Sequence, residues 1–135
     1  MSAHDPNRAW GVGVAGLGTV GSGLLNFLSD RPEFAPAGRR GTANLPWFDD
    51  PVALAVSSDT DIFVELIGGS DGPAKAAVEA ALNAGKPVVT ANKALIAEHG
   101  AELAALAEAK GVPLLFEAAV MGGVPAVKMM REALV

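Results

Sequence analysis

Apolar and polar positions along the chain follow two alternating periods, which predicts strands followed by helices. Residues 11–15 form a short apolar run typical of a buried strand, and apolar residues over 19–29 recur at helical spacing. The same succession returns after residue 50. The predicted strands there are 62–67, 88–90 and 112–116, and the predicted helices are 51–56, 73–84, 93–110 (with Gly100 as a candidate break) and 124–134.

The stretch from Arg31 to Asp50 shows neither period. Its prolines and glycines, with no β-branched run, predict a loop over 31–50. A loop of about twenty residues is unusual inside a compact domain. The whole pattern predicts an α/β fold, a Rossmann-like doubly wound parallel sheet of about four strands, with the region of the second strand missing.

Composition favours one globular domain over residues 1–135, with a flexible lead over 1–10. Half of the 135 residues are hydrophobic and 19% are charged, enough for a single core. The net charge of -5 disfavours nucleic acid and membrane as partners, because both require a basic face. There is no cysteine, no apolar leader and no long apolar run, so a cytoplasmic protein is expected.

Gly16, Gly18 and Gly21 directly follow the first predicted strand at G-x-G-x-x-G spacing. In a strand–turn–helix unit the first glycine permits the tight turn, the second lets a pyrophosphate approach, and the third lets the helix pack closely. The helix directs its free N–H groups and positive dipole end at the phosphates. The spacing predicts a dinucleotide site, against the alternative of a plain turn in a chain with 16 glycines.

Four stretches together resemble homoserine dehydrogenase, in its N-terminal NAD(P)-binding domain. They occur in the family's order, and the last two are more specific than the glycine turn. The resemblance covers about 11–29 and 47–135. The stretches are 16–21 (GLGTVG), 63–69 (FVELIGG), 89–95 (VTANKAL) and 116–125 (FEAAVMGGVP).

The resemblance implies an NAD(P)-dependent oxidoreductase that interconverts L-homoserine and L-aspartate 4-semialdehyde, in threonine and methionine biosynthesis. The cofactor carries the hydride, and the protein supplies positioning and electrostatics. Asn92 and Lys93 would lie near the nicotinamide ribose and the substrate. Glu117 with the carbonyls of Val120, Gly122 and Val124 would hold a monovalent cation, usually sodium, through hard oxygen ligands. The pyrophosphate would be lined by Leu17, Gly18, Thr19 and Val20, and Gly16 and Gly21 complete the cofactor-binding turn.

The chain is expected to depart from the family pattern in two places: only 31–46 stands where family members carry a second strand, and only 124–135 follows the last motif. Where a dinucleotide site usually carries an acid for NAD or an arginine for the 2′-phosphate of NADP, the chain has Arg39 and Arg40, which favours NADP. The family's substrate domain follows the helix that begins near Val124, so 124–135 is expected to start the linker to it. Lys93 is then the nearest catalytic candidate, with a solvated helix-start lysine as the alternative. The 135 residues are expected to lack turnover alone.

Two other functions stay open at this level. A non-catalytic nucleotide-binding or self-associating module is one, because without a second strand 11–15 would be a sheet edge open to pairing in a homo-oligomer. The other is a dehydrogenase for a different aldehyde or amino acid, against which 89–95 and 116–125 argue. Glu65, inside a buried strand, has no assigned role, and Asp50 is expected to cap a helix.

Overall fold

Five parallel strands form one sheet in the order β2-β1-β3-β4-β5. The computed structural model describes residues 8–38 and 46–120, together with Met130 and Glu132. The strands are β1 (Trp10–Ala15), β2 (Phe34–Gly38), β3 (Ile62–Glu65), β4 (Val88–Thr90) and β5 (Leu114–Leu115). The helices are α1 (Thr19–Ser29), α2 (Pro51–Val56), α3 (Pro73–Asn83), α4 (Lys93–Lys110) and α5 (Glu117–Val120).

Helices cover both faces of the sheet, which confirms the predicted Rossmann-like α/β class. Successive strand residues point to opposite faces, so Phe63 and Val64 enter different cores. Val64 packs with Val12, Val14 and the α1 residues Leu25 and Leu28. Phe63 packs on the other face, where α2, α3 and α4 contribute Leu54, Ala77, Val78, Ala81, Leu82, Leu95 and Leu103.

The second strand is present, so the prediction that its region is missing was wrong. β2 runs parallel to β1 in the register Trp10↔Phe34 to Val14↔Gly38. The sequence pattern does not indicate this strand, because Phe34–Gly38 has no β-branched residue and carries Pro36. Proline is tolerated there because β2, within the described sheet, has β1 as its only neighbour, and an edge strand has one side without ladder bonds.

This finding removes the premise for self-association through β1. That strand lies between β2 and β3 and pairs with both, so 11–15 is not an edge. α4 is continuous through Gly100, so the candidate break there is not present. The predicted cap at Asp50 is confirmed, because its side chain accepts a hydrogen bond of 2.9 Å from the Val52 N–H at the start of α2. The predicted flexible lead over 1–10 overlaps β1, which begins at Trp10. Residues 1–7 and most of the predicted helix over 124–134 lie outside the described residues, so the rest of the lead and that helix stay predictions.

The connections place a crevice at one edge of the sheet. From β1 the chain passes through α1 to β2 on one side, and from β2 through α2 to β3 on the other side of β1. The direction of winding therefore reverses between β1 and β3. In open α/β sheets, ligands bind beyond the carboxyl ends of the strands at such a reversal. Across 8–38 and 46–120, no helix combines the length and apolar character needed to cross a membrane.

Candidate functional site

A cleft of about 270 Å³ opens beyond the carboxyl ends of β1 and β3, where the winding reverses. The turn after β1, the residues after β3 and the starts of α2 and α3 all contribute to its wall. Most of the wall is apolar, as is usual for cofactor pockets. The lining residues are Ala15, Gly16, Leu17, Gly18, Phe48, Pro51, Leu54, Leu66, Ile67 and Pro73.

The first and third glycines of the turn are required by close backbone contacts. Gly16 has φ +99°, and a Cβ built there would lie 2.4 Å from the carbonyl carbon and oxygen of Leu66. A Cβ on Gly21 would lie 2.0 Å from the carbonyl oxygen of Gly16. The turn is therefore pressed against the end of β3 on one side and against α1 on the other. These are the steric roles that the spacing predicts.

Gly18 differs from its two partners because it faces open space. A Cβ there would meet no atom of the described residues within 4 Å, and within the same part of the chain Gly18, the N-cap of α1, makes no side-chain cap bond. The first turn of α1 contains no acidic residue, and Thr19 and Val20 are exposed. An uncapped helix start with free N–H groups and room beside its backbone fits an anionic pyrophosphate.

At the ends of β3 and β4, a buried carboxylate joins two loops. Glu65 is completely buried, and its Oε1 accepts hydrogen bonds from the backbone N–H of Ile67 (2.7 Å) and Gly68 (3.1 Å). Its Oε2 accepts a hydrogen bond of 2.6 Å from Thr90 Oγ1. No role for Glu65 follows from the sequence alone. The signal available was an acid at the carboxyl end of an apolar strand, but its partner Thr90 is 25 residues away.

Asn92 and Lys93 lie at the same carboxyl edge, at the start of α4. Asn92 is 6% exposed, and its Oδ1 caps the helix by accepting from the Leu95 N–H at 3.1 Å. Its Nδ2 donates to the Gly69 carbonyl at 2.7 Å, which fixes the amide orientation and leaves one N–H. Lys93 is the first residue of α4 and is exposed. Both positions are two strands along the sheet from the glycine turn.

The remaining predicted ligands are only partly described. Glu117 is the half-buried first residue of α5, and Val120 ends that helix with 49% of its surface exposed. Gly122 and Val124, the other predicted cation ligands, lie outside the described residues, as do Arg39 and Arg40. The cation site and the 2′-phosphate contact therefore stay predictions.

Comparisons with known proteins place this geometry in one family. The family model described as the NAD-binding domain of homoserine dehydrogenase matches residues 35–117. The homoserine dehydrogenase of Corynebacterium glutamicum is 42% identical over 96% of this chain and 33% of its own length, and that of Pseudomonas aeruginosa is 44% identical over 91% and 32%. The crystal structure of a homoserine dehydrogenase from Thiobacillus denitrificans matches with a TM-score of 0.79 and 41% identity, covering 94% of this chain and 33% of that one. The chain thus spans about a third of the length of the curated relatives it matches.

Proposed function

We propose that this chain, which belongs to the homoserine dehydrogenase family, binds NADP(H) in the cleft between β1 and β3 for the interconversion of L-homoserine and L-aspartate 4-semialdehyde. The matched family model is that of an NAD-binding domain, which supports a dinucleotide ligand. The observation that carries the proposal is the open backbone of Gly18 at an uncapped helix start, beside the reversal of winding.

In this proposal the residues of the chain bind and orient the dinucleotide, whose nicotinamide supplies the hydride chemistry when bound. The backbone of 16–21 and the dipole of α1 hold the pyrophosphate. The apolar wall, including Leu66, Ile67 and Pro73, keeps water from the bound molecule. Asn92 and Lys93 serve the nicotinamide ribose and the substrate, because α4 begins on the same edge of the sheet as the glycine turn.

The preference for NADP rests on where β2 ends. Gly38, its last residue, pairs with Val14, next to the end of β1 and the glycine turn. Arg39 and Arg40 follow Gly38 directly in the sequence. In dinucleotide-binding folds, a residue near this position reads the ribose, and an arginine accommodates the 2′-phosphate. The arginines thus stand at a suitable place in the chain for NADP.

The 135 residues alone are proposed to bind the dinucleotide without turnover. About two thirds of the length of the relatives has no counterpart among these residues. In this proposal the main catalytic residues belong to that part. The cation site of Glu117, Val120, Gly122 and Val124 belongs to the same proposal, with sodium as the expected ion. A dinucleotide-dependent step of amino-acid biosynthesis fits a cytoplasmic location.

Fluorescence titration of the purified chain with NADPH and NADH tests the proposal. We expect saturable binding with tighter NADPH affinity. Replacing Arg39 and Arg40 together by alanine should weaken NADPH binding roughly ten-fold or more, the usual contribution of hydrogen bonds to a charged group, and leave NADH binding unchanged.

Arg31→Ala is the matched control for loss of positive charge. The Arg31 guanidinium stacks on the Phe27 ring at 3.6 Å and donates to the Phe27 carbonyl, at the opposite end of α1 from Gly18. This variant should bind NADPH as the parent chain does. Absence of binding for both nucleotides contradicts the dinucleotide site, and equal affinities contradict only the preference for NADP.

A further inference from the structure

We propose that Glu65 is a positioning residue, whose buried carboxylate fixes the side of the cleft that receives the nicotinamide half of the dinucleotide. It does so by joining the loop after β3 to the start of α4. The inference rests on the proposed function, because it concerns the same cleft.

The carboxylate belongs to a closed circuit of hydrogen bonds. Glu65 Oε1 holds the N–H groups of Ile67 and Gly68, and the next residue, Gly69, accepts from Asn92 Nδ2. The Asn92 backbone N–H donates to Thr90 Oγ1 at 3.0 Å. Thr90 Oγ1 then donates to Glu65 Oε2, which closes the circuit.

The direction of each hydrogen bond follows from the donors present. The Thr90 hydroxyl has one proton, and the oxygen accepts from the Asn92 N–H, so that proton points to Glu65. The three partners of the Glu65 side chain among the described residues are all donors. A carboxylate matches this set at both oxygens, whereas an amide presents a donor to one of them.

Within the loop after β3, Gly68 and Gly69 have few packing contacts of their own among the described residues. Gly68 and Gly69 have φ of +88° and +83°, and a Cβ on either would meet nothing within 4 Å in 8–38 or 46–120. Adjacent glycines without packing neighbours give a backbone with many accessible conformations. Ile67, which begins this segment, forms part of the cleft wall. The carboxylate therefore turns a permissive segment into a defined wall.

The same circuit sets the start of α4. Asn92 caps this helix through the Leu95 N–H and is held by Thr90 and Gly69. Lys93 follows Asn92 as the first helical residue. Because both the wall and the helix start depend on Glu65, the carboxylate fixes the distance between Ile67 and Lys93. The glycine turn is outside the circuit.

An exposed contact between the same two segments provides a control. Asp71, from the loop after β3, lies 3.2 Å from His99 Nε2 of α4, and its side chain is 74% exposed. The ring also faces Glu98 and Glu102 of α4, and Glu102 pairs with Lys75 of α3. Exposed pairs contribute little to structure, so removing the Asp71 charge should not alter the cleft.

The experiment measures the dissociation constants of NADPH and of 2′,5′-ADP, the adenosine half alone, for the parent chain and for Glu65→Gln. Both proteins contain all 135 residues. We expect the dissociation constant for NADPH to rise about ten-fold, because one buried hydrogen bond is mismatched, while that for 2′,5′-ADP changes less than about two-fold. Without any nucleotide, exchange of the Gly68 amide hydrogen should accelerate about ten-fold.

Thr90 variants keep the test decisive if Glu65→Gln does not fold. Thr90→Val removes the hydroxyl at nearly constant volume and should reproduce the selective loss of NADPH affinity. Thr90→Ser retains the hydroxyl and should bind NADPH with the affinity of the parent chain. Asp71→Asn should also bind both nucleotides as the parent chain does.

The outcomes separate the two proposals. If the parent chain binds neither nucleotide, the proposed function fails. If it binds both, and the Glu65 and Thr90 variants weaken NADPH and 2′,5′-ADP equally or leave both unchanged, Glu65 has no positioning role and this inference alone is overturned.

Discussion

At the scale of single residues, the three glycines of the turn differ in how much space surrounds their α-carbons. Gly16 and Gly21 are held by backbone atoms that leave no room for a side chain. Gly18 has room for a side chain among the residues that the structure describes. The proposed pyrophosphate would occupy the space beside this backbone.

Gly18→Ala is therefore expected to separate binding from folding. The added methyl occupies the space of the pyrophosphate and should weaken NADPH binding about ten-fold or more, within the usual cost of overpacking a fitted site. The free energy of unfolding should change by less than about 1 kcal/mol, the usual difference between glycine and alanine at an N-cap. Fluorescence titration and urea unfolding measure the two quantities.

Gly23→Ala is the matched control on the same helix. A Cβ at Gly23 also meets no atom within 4 Å, but the residue lies inside α1, away from the turn. It should stabilise the chain by roughly 0.5–1 kcal/mol through helix propensity and leave nucleotide binding unchanged. Unchanged NADPH affinity in Gly18→Ala would show that no phosphate approaches that backbone.

At the scale of elements, the sequence pattern predicts strands well where burial is on both faces. β1 and β3 are apolar runs because helices cover both sides of the central strands, and α1 and α3 show helical spacing. β2 was not predicted from the sequence, because an edge strand has fewer packing constraints and can contain alanine, proline and glycine. β2 becomes a strand by pairing with β1, and the local sequence of β2 does not encode that pairing.

Lys86 links the connection between α3 and β4 to the end of α2, on the side of the sheet where the strands begin. It lies between α3 and β4, and its Nζ donates to the Ser57 carbonyl after α2. Burial lowers the pKa of Lys86 below its ordinary value of 10.5, and the nearby Asp61 carboxylate opposes that shift. The folded chain therefore releases this proton at a lower pH than the unfolded chain does.

The sign of the resulting pH dependence follows from proton counts. Between the lowered pKa and 10.5, the unfolded state binds more protons at Lys86, so the free energy of unfolding rises with pH. Lys86→Met removes this titration. We expect the parent chain to gain stability relative to Lys86→Met as pH approaches 10.5 from below, measured by urea unfolding at stepped pH.

Lys75→Met is the control of opposite sign. The hydrogen bond to Glu79, with the charges of Glu79 and Glu102, raises the pKa of Lys75 above 10.5 despite partial desolvation. Relative to this variant the parent chain should lose stability as pH rises beyond 10.5. Parallel stability curves for Lys86→Met and the parent chain would contradict the assigned burial effect.

At the scale of the whole molecule, the site is assembled from distant segments. The cleft combines the turn at 16–18, the starts of α2 and α3, and Leu66 with Ile67. Sequence motifs predicted the family and the glycine turn, because both reside in short contiguous stretches. The Glu65 circuit was not predictable, because it depends on β3 and β4 lying side by side, with Glu65 paired to Thr90.

Because the cleft exists only when β1 and β3 are paired, nucleotide binding must be linked to global folding. A ligand that binds only the folded state at 100 times its dissociation constant adds about 2.7 kcal/mol of stability. For a chain of this length that corresponds to a rise in melting temperature of roughly 10 °C. Thermal unfolding with increasing NADPH should show this rise, growing with the logarithm of concentration. Gly18→Ala at the same concentrations should show a smaller shift from its own baseline, and an equal shift would mean that NADPH stabilises the fold from a place other than the glycine turn.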